Sequence, residues 1–277
     1  MNYFLTFADS HLGGCIRNPR ERIRRQAQSM GVFGDNIYVL TEQDLDDDFR
    51  ERMKEHLVLG SRGYGYWCWK PQVVLQILRE MDIGDVVLYA DVGCHLNPKG
   101  LSRLREYFEL AKKHGIVAFQ SRTNGSQPKH FLKDREWCKG DLLDFFGVRN
   151  DRSVIETGQL GGTAFLVCKK HETEEFFMEF RNFFYDHFNL CDDSPSITEN
   201  LSGFVENRHD QSVFSLLGKK YGIFSLSSCE YDSKYINECQ LEDAVYPIWA
   251  KHDKGGWRSL FPSWFKNLVH FITWGRI

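Results

Sequence analysis

The sequence predicts an α/β fold: a mostly parallel sheet flanked by helices, with a helical extension at the C-terminus. Three observations carry this. Short apolar runs alternate along the chain with longer segments of helical period, the pattern of a sheet whose strands are joined through helices. Glycine and proline mark the ends of those segments. The 277 residues, 42% hydrophobic and 14% aromatic, suffice for one full core. No repeat, low-complexity tract or flexible linker interrupts the chain. It reads as one domain over residues 1–256 followed by an extension over 257–277.

The elements follow in order. Tyr3 to Ala8 is a buried strand. Arg20 to Met30 is a helix, with Pro19 near its start and Gly31 just past its end. Ile37 to Leu40 is a second strand. Leu45 to His56 is heavily charged, Asp46-Asp47-Asp48 included, and reads as a solvated helix face. Pro71 to Met81 places Val73, Val74, Ile77, Leu78 and Met81 at helical spacing. Val86 to Ala90 is the third strand. Leu101 to His114 is a helix that stops at Gly115, and Ile116 to Phe119 is the fourth strand. Gly161 to Val167 is a later strand behind two glycines. Glu172 to His187 is a long aromatic helix, Asp192 to Asn207 a polar loop, and Gln211 to Lys220 the next helix.

Charge and cysteine usage narrow the function. A net charge of -3 gives no general attraction to nucleic acid or to an anionic membrane, so an anionic ligand needs a local basic site. The eight cysteines include no Cys-x-x-Cys pair and no repeating spacing, which speaks against a zinc ribbon or a disulfide scaffold. Reduced thiols in a cytosolic enzyme are the simplest reading. The start, MNYFLTFADS, lacks the charged n-region and long apolar core of a signal peptide. No run approaches the roughly 18 apolar residues of a spanning helix. A cytoplasmic protein, at most at the inner face of a membrane, is expected.

The chemistry-bearing residues gather at strand ends and loops. The strand Val86 to Ala90 ends in Asp91-Val92-Gly93, and a carboxylate there faces the crevice where open α/β sheets bind ligands. As a plain turn, Asp and Gly suit the position equally. The first strand ends in Ala8-Asp9-Ser10, where Asp9 reads as an acceptor for a base or ribose, or as a turn or cap residue. Gly63-Tyr64-Gly65-Tyr66-Trp67-Cys68-Trp69-Lys70-Pro71 combines glycines that admit a close approach with a helix start beside a lysine, which suits a phosphate. Tyr66, Trp67 and Trp69 read as a ligand wall or as core, and Arg62 as a second phosphate contact. Gly161-Gly162 leaves room for a sugar ring, or forms a bulge. Asp210-Gln211 opens an apolar helix, with Asp210 either a cap or a site carboxylate. Lys251-His252-Asp253-Lys254-Gly255 is a basic, Gly-containing loop suited to a diphosphate or a metal ion.

Taken in order, these pieces resemble a GT-A-type glycosyltransferase, particularly the retaining family eight that includes bacterial lipopolysaccharide galactosyl- and glucosyltransferases. Phe7-Ala8-Asp9-Ser10 is similar to that family's Ala-Asp-Asp segment, which holds the uracil. Asp91-Val92-Gly93 lies where the family carries Asp-x-Asp, and Gly161-Gly162-Thr163 resembles its Asn-Ala-Gly strand. Asp210-Gln211 matches its Asp-Gln pair beside the transferred sugar, and His252-x-x-Gly255 its His-x-x-Gly, whose histidine binds metal. The Gly-Tyr-Trp-x-Trp-Lys-Pro block is closer to bacterial polysaccharide glycosyltransferases that carry Asp-x-Gly, which places the chain in a related family. The resemblance implies a GT-A-like (Rossmann-like) sheet and a nucleotide-sugar donor, with UDP the expected nucleotide. The acceptor is a glycan or lipid-linked saccharide. Mn²⁺ or Mg²⁺ would sit at Asp91 and His252. Gly93 in place of the second Asp leaves such an ion short of a ligand, and Lys70, Lys251 and Lys254 are the alternative charges for the diphosphate.

On this reading Asp9 recognises the base, Asp91 holds the diphosphate, and Asp210 and Gln211 face the sugar and the acceptor. Retaining transfer would use Gln211 at the oxocarbenium-like centre, and inverting transfer would use Asp210 as base; the resemblance leans to retaining. Two rival readings stand beside it. A sugar nucleotidyltransferase would be expected to carry a basic Gly-rich loop after the first strand, which Ser10-His11-Leu12-Gly13-Gly14 lacks. A non-catalytic carbohydrate-binding protein would account for Gly93. Residues 262–274 place Trp264, Phe265, Leu268, Val269, Phe271 and Ile272 on one helical face among basic neighbours. That segment reads either as a peripheral membrane helix or as a terminal helix packed on the core.

Overall fold

Along each strand, alternate side chains go to opposite faces of the sheet, and here both faces are apolar. The computed structural model describes residues 1–10, 18–122, 132–232 and 246–253. Its strands are β1 (Asn2–Phe7), β2 (Ile37–Leu40), β3 (Val86–Ala90), β4 (His95–Leu96), β5 (Ile116–Gln120), β6 (Ala164–Cys168), β7 (Phe224–Ser227) and β8 (Ile248–Trp249). Six of them form one sheet in the order β2-β1-β3-β6-β5-β7, while β4 and β8 pair separately. The longer helices are α1 (Pro19–Met30), α2 (Lys70–Glu80), α3 (Leu101–His114), α4 (His171–His187) and α5 (Asp210–Lys220).

Tyr3, Leu5, Phe7, Val87 and Tyr89 point into a core under α2, α4 and α5. Phe4, Val86, Leu88 and Ala90 point into a second core under α1 and α3. Local chemistry sets the helix ends. The Asn18 side chain accepts from the amides of Arg20 and Glu21 to start α1, and Gly31 ends it at φ 65°. In α4, Phe176, Phe177, Phe180, Phe183 and Phe184 form one buried stripe at helical spacing.

The mixed, mostly parallel sheet meets the expectation, with one strand reversed. β6 runs antiparallel to both β3 and β5. Ala164 to Cys168 are buried on both faces, so their pattern carries no direction. The strand also starts later than its sequence predicts, because Gly161 to Thr163 approach it as loop. This reversal has a functional consequence. The start of β6 lies beside the carboxyl end of β3, where the Asp91 amide donates to Thr163 O at 2.8 Å. Helices α1 and α2 flank β1 and β3 from opposite faces. The crevice between them is the switch point where such sheets bind ligands.

Several elements exceed the sequence reading: β7, the β4–β8 ladder, and short helices at Asp134–Trp137, Gly140–Phe145 and Arg152–Ile155. A buried ion pair between Lys219 and Asp134 ties this short-helix region to α5. The Lys219 ammonium also donates to Thr157 Oγ1 at 2.8 Å and Val154 O at 3.0 Å. The charged segment after Leu45 is helical only over Asp47–Arg52, and Asp46 accepts from Arg79 at 2.6 Å and from Gln72 at 2.8 Å. Cys68, Cys94, Cys138, Cys168 and Cys191 are buried free thiols. Cys229 is disulfide-bonded, which corrects the all-reduced reading; irregular spacing argues against a disulfide framework, not against one bridge. No helix among the described residues is long and apolar enough to cross a membrane. The extension over 257–277, with its amphipathic pattern, lies outside the described residues.

Candidate active site

The crevice at the carboxyl ends of β1 and β3 is a cavity of about 370 Å³, a size suited to a small-molecule ligand. Six separate parts of the chain build it. β1 delivers Asp9, β3 delivers Asp91, and the loop into β6 delivers Gly162 and Thr163. The segment leading into α2 and the helix's first residue deliver Arg62, Trp67, Trp69 and Lys70. The start of α5 delivers His209, Asp210 and Gln211, and the last described segment delivers His252. A second cavity, of about 390 Å³, adjoins it and shares Thr163, Arg208, Gln211 and His252 as a common wall.

Backbone strain concentrates here. Among the described residues, the non-glycine positions with positive φ are Tyr64, Tyr66, Trp67, His209 and His252. Four of them line the first cavity, and the fifth, Tyr66, is their neighbour. Such conformations cost about 1–3 kcal/mol each and persist where the surroundings over-determine them, often at ligand sites. The tight course from Arg62 to Trp67 needs its two glycines. A Cβ on Gly63, at φ 62°, would enter the Trp67 ring, and one on Gly65, at φ 84°, would come within 2.9 Å of His56 O. Trp69 then stacks on Phe7 at 3.9 Å and donates its indole N–H to Gly63 O at 2.9 Å. It is a fixed wall, whereas Trp67 is half-buried and stacks on His209 at 5.7 Å.

The electrostatic centre is a buried lysine between two carboxylates. Lys70 Nζ lies 2.6 Å from Asp210 Oδ2, 2.9 Å from Gly162 O and 3.5 Å from Asp91 Oδ1. The same Asp91 oxygen accepts the Tyr89 hydroxyl at 2.7 Å. Burial draws the Lys70 pKa down, but Asp210 and Asp91 more than offset this and raise it, so the ammonium stays charged. Burial pushes the Asp210 carboxyl up to about 6, against the downward pull of Lys70. Gln211 fixes the adjacent loop: its Oε1 accepts from the Gly162 amide at 3.2 Å, and its Nε2 donates to Gln159 Oε1 at 2.8 Å.

Two consequences follow from Asp210. If its ionised form acts, activity falls on the acid side with a midpoint near pH 6, the value about which the carboxyl titrates. At pH 5 the rate should be about tenfold below its plateau; a flat pH–rate profile from 5 to 8 would exclude that role. Stability moves the other way. A carboxyl raised above its unfolded value contributes stability that is present at low pH and lost as pH rises through about 6. Protonating this one group therefore relieves the fold.

Two buried side-chain atoms without a hydrogen-bond partner mark the cavities. One is His209 Nε2, at the wall of the first cavity; the other is Ser228 Oγ, at the wall of the second. His209 Nδ1 lies 2.6 Å from Cys191 O, an acceptor, so Nδ1 carries the proton and Nε2 a lone pair. Burial keeps this imidazole pKa low. His209 Nε2 lies 3.6 Å from Asp193 Oδ1; buried polar atoms are normally satisfied, and a ligand hydroxyl would satisfy Ser228 Oγ.

The C-terminal segment is strapped across the Asp91 loop. β8 pairs with β4, and the Asp253 amide donates to Gly93 O at 3.0 Å. Arg22 donates to Val92 O and Cys94 O at 2.6 Å and to Asp253 O at 3.0 Å. His95 Nε2 lies 3.1 Å from Asp253 Oδ2. At Gly93 a Cβ would lie 3.2 Å from His252 Cα and 3.3 Å from Asp253 N, so the strap packs closely on this position and would have to give by a few tenths of an ångström for the second Asp of an Asp-x-Asp. The donor set does not suit a divalent ion. Mn²⁺ and Mg²⁺ take about six ligands, mostly oxygen. Among the described residues no three His, Cys, Asp or Glu side chains gather to hold one. Asp91 Oδ1 already accepts from Tyr89 and Lys70 approaches it, while Asp210 is bound to Lys70.

Of the residues singled out from the sequence, Asp9, Arg62, Trp67, Trp69, Lys70, Asp91, Gly162, Asp210, Gln211 and His252 meet at the first cavity. Asp210 is the first residue of α5 and His209 its cap, so the capping alternative does not apply. Tyr66 lies behind the wall, packed on Phe188 at 6.0 Å and His209 at 4.8 Å. Gly161 lines the second cavity. Lys251 is exposed, with its ammonium 4.6 Å from the Trp249 ring centroid and away from both cavities. Lys254 lies outside the described residues. Sequence reasoning missed His209, Arg208 and Arg22. His209 and Arg208 sit directly before Asp210, and that adjacency was the available signal; Arg22 gave none, because an arginine on a polar helix face looks solvated.

No protein-family model matches the sequence, and comparison with curated proteins finds no match. Among solved structures, mouse xyloside xylosyltransferase 1 is similar with a TM-score of 0.45 and 11% identity, over 90% of this chain and 97% of that one. A glycosyltransferase involved in glycosylation of the major capsid of PBCV-1 gives 0.43 and 9%, over 89% and 92%. The galactosyltransferase LgtC, in complex with donor and acceptor sugar analogs, gives 0.41 and 12%, over 84% and 75%.

Proposed function

We propose that the protein transfers a sugar from a nucleotide-sugar donor, with UDP as the nucleotide, to a saccharide or lipid-linked saccharide acceptor. The observation that supports this best is the pair of cavities with a common wall. Group transfer between two bound molecules needs two sites that meet at the reacting atom. The first cavity carries the charged set, with Asp9 at one side to accept an N–H of the base. The second is lined by Phe119, Trp137 and Tyr231 with Ser121, Gln159 and Ser228, a mixture of aromatic faces and hydroxyl or amide groups suited to a sugar. Gln211 and Thr163 stand between them.

In the reaction, the bond from the anomeric carbon to the phosphate oxygen breaks, and its electron pair leaves with the nucleoside diphosphate. A bond forms from the acceptor oxygen to the same carbon, and the acceptor proton passes to the departing phosphate. Ionised Asp210, held by Lys70, stabilises the positive charge developing on the sugar. The course proposed is the retaining one, in which the departing phosphate and not Asp210 takes the acceptor proton. Arg62 and Arg208 sit at the rim, paired with acids of the loop after α4. Arg62 lies 3.1 Å from Asp193 Oδ1, and Arg208 lies 3.2 Å from Glu206 Oε1. Exposed pairs of this kind contribute little, so phosphate oxygens can displace the acids. Arg62→Ala should weaken UDP binding roughly tenfold, the loss of about one charge-assisted hydrogen bond, as read by calorimetry.

The test is incubation with a panel of UDP-sugars and oligosaccharide acceptors. The readouts are UDP release, product mass and the anomeric configuration of the product by NMR. Transfer with the donor's configuration kept is the expected result. Pyrophosphate release from a nucleoside triphosphate would favour a nucleotidyltransferase instead, and sugar binding with no turnover of any donor would favour a carbohydrate-binding protein.

A further inference from the structure

We propose that the buried Lys70 ammonium is the resident cation of this site, standing between Asp91 and Asp210, and that donor binding and transfer draw on no divalent metal ion. The chemistry rests on the sugar-transfer reading; the position of the cation does not. Three observations converge. The ammonium is held on three sides, at 2.6 Å from Asp210 Oδ2, 2.9 Å from Gly162 O and 3.5 Å from Asp91 Oδ1. Its side chain is only 3% exposed. It extends from the first turn of α2, above the Tyr89 ring at 5.4 Å. A divalent ion on Asp91 would meet this positive charge at close range, and like charges repel.

The second observation is the strap. The Cβ of any side chain at position 93 would lie 3.2–3.3 Å from the backbone of His252 and Asp253, so a second acidic ligand at 93 would require the strap to give by a few tenths of an ångström. The third is charge balance. The first cavity is lined by three acids, Asp9, Asp91 and Asp210, and three permanent cations, Arg62, Lys70 and Arg208. These lining charges match in number, while Asp193 and Glu206 pair with the two arginines from outside the lining. Lys70 neutralises the carboxylates at the floor, while Arg62 and Arg208 at the rim meet the diphosphate. Lys70 is accordingly a positioning residue: it orients Asp210 and offsets the charge of Asp91, donating to Asp210 Oδ2 and Gly162 O with Asp91 Oδ1 3.5 Å away.

The experiment is a Mn²⁺ titration of the full chain, by calorimetry and by the electron paramagnetic resonance signal of free Mn²⁺, without and with UDP. A thermal-shift measurement with UDP in EDTA or in Mn²⁺ accompanies it. The wild type should bind no Mn²⁺ stoichiometrically below millimolar concentration, and any UDP-induced shift should be the same in EDTA and in Mn²⁺. Stoichiometric sub-millimolar binding, or a UDP shift lost in EDTA, would overturn the proposal. Lys70→Met removes the charge at similar length and leaves two carboxylates facing one another. If folded, it should bind Mn²⁺ at least tenfold more tightly than the wild type; a folded variant with no gain would show that the ammonium does not hold the cation's place. Should Lys70→Met fail to fold, the wild-type titration decides alone. If UDP produces no shift in either condition, the nucleotide reading fails, while the Mn²⁺ titration still decides the cation.

Discussion

Asp210→Asn should lower the transfer rate by about two to three orders of magnitude while the protein stays folded. The side chain is the same size, so the buried site is not opened and Lys70 keeps an oxygen acceptor at the position now 2.6 Å away. What is lost is a full negative charge aimed into the cavity. Removing one preorganised electrostatic partner of a transition state costs roughly 10²–10³ in kcat. Because the charge acts on the reacting centre more than on the bound nucleotide, the loss should appear in kcat and leave the dissociation constant for UDP within about threefold. The melting temperature gives the control. Burial raises the Asp210 pKa to about 6, so at neutral pH the fold bears the cost of a desolvated carboxylate, and the amide removes that cost. A drop in kcat with a held melting temperature supports the role; unchanged kcat would remove Asp210 from the mechanism. A parallel loss of kcat and stability would make it a structural partner of Lys70 instead.

The fold was legible in the sequence where physics is local. The helix starting after Asn18 and ending at Gly31 is written in its cap residues, and the strand Val86 to Ala90 in its unbroken burial. The carboxylates were legible too, because Asp9 and Asp91 stand where apolar runs stop, and a parallel sheet brings such ends together. Three things were not legible. The direction of β6 depends on which edge it enters, and its residues, apolar on both faces, look the same either way. The role of Lys70 depends on distance: a lysine at a helix start next to aromatics reads as a phosphate contact, yet here it is buried against Asp210, 140 residues away in the chain. Gly93 looked like a lost metal ligand, but a strap that returns from residues 252 and 253 packs closely on it. Each miss is a long-range approach, which periodicity and caps do not encode.

The strap is also a place where one added methyl should have a large effect on stability. Gly100 has an ordinary backbone, φ -86° and ψ 12°, so alanine is not excluded by conformation. It is excluded by space: a Cβ there would overlap the backbone of Tyr246 and Pro247, coming within 2.6 Å of Pro247 Cα. Backbone cannot rotate aside as a flexible side chain can, so the segment from Tyr246 must move. The movement breaks the bonds that hold it, from the Asn97 amide to Pro247 O at 2.9 Å and from Asn97 Nδ2 to Tyr246 O at 3.1 Å. It also unseats Ile248, which is fully buried. Overpacking of this kind costs about 1–3 kcal/mol, and two disrupted hydrogen bonds add roughly 1–2 kcal/mol. For a chain of this size Gly100→Ala should therefore lower the melting temperature by roughly 5–12 °C. The effect should reach the site, because the same segment carries His252 to the wall shared by the two cavities and braces the Asp91 loop through Asp253. UDP affinity should fall with stability even though residue 100 lines neither cavity. Calorimetry of Gly100→Ala with and without UDP separates the outcomes. A lower melting temperature with weaker UDP binding fits a strap that positions the site, and a lower melting temperature with unchanged UDP affinity would confine the strap to stability. An unchanged melting temperature would mean that residues 246–253 do not pack against Gly100 as described.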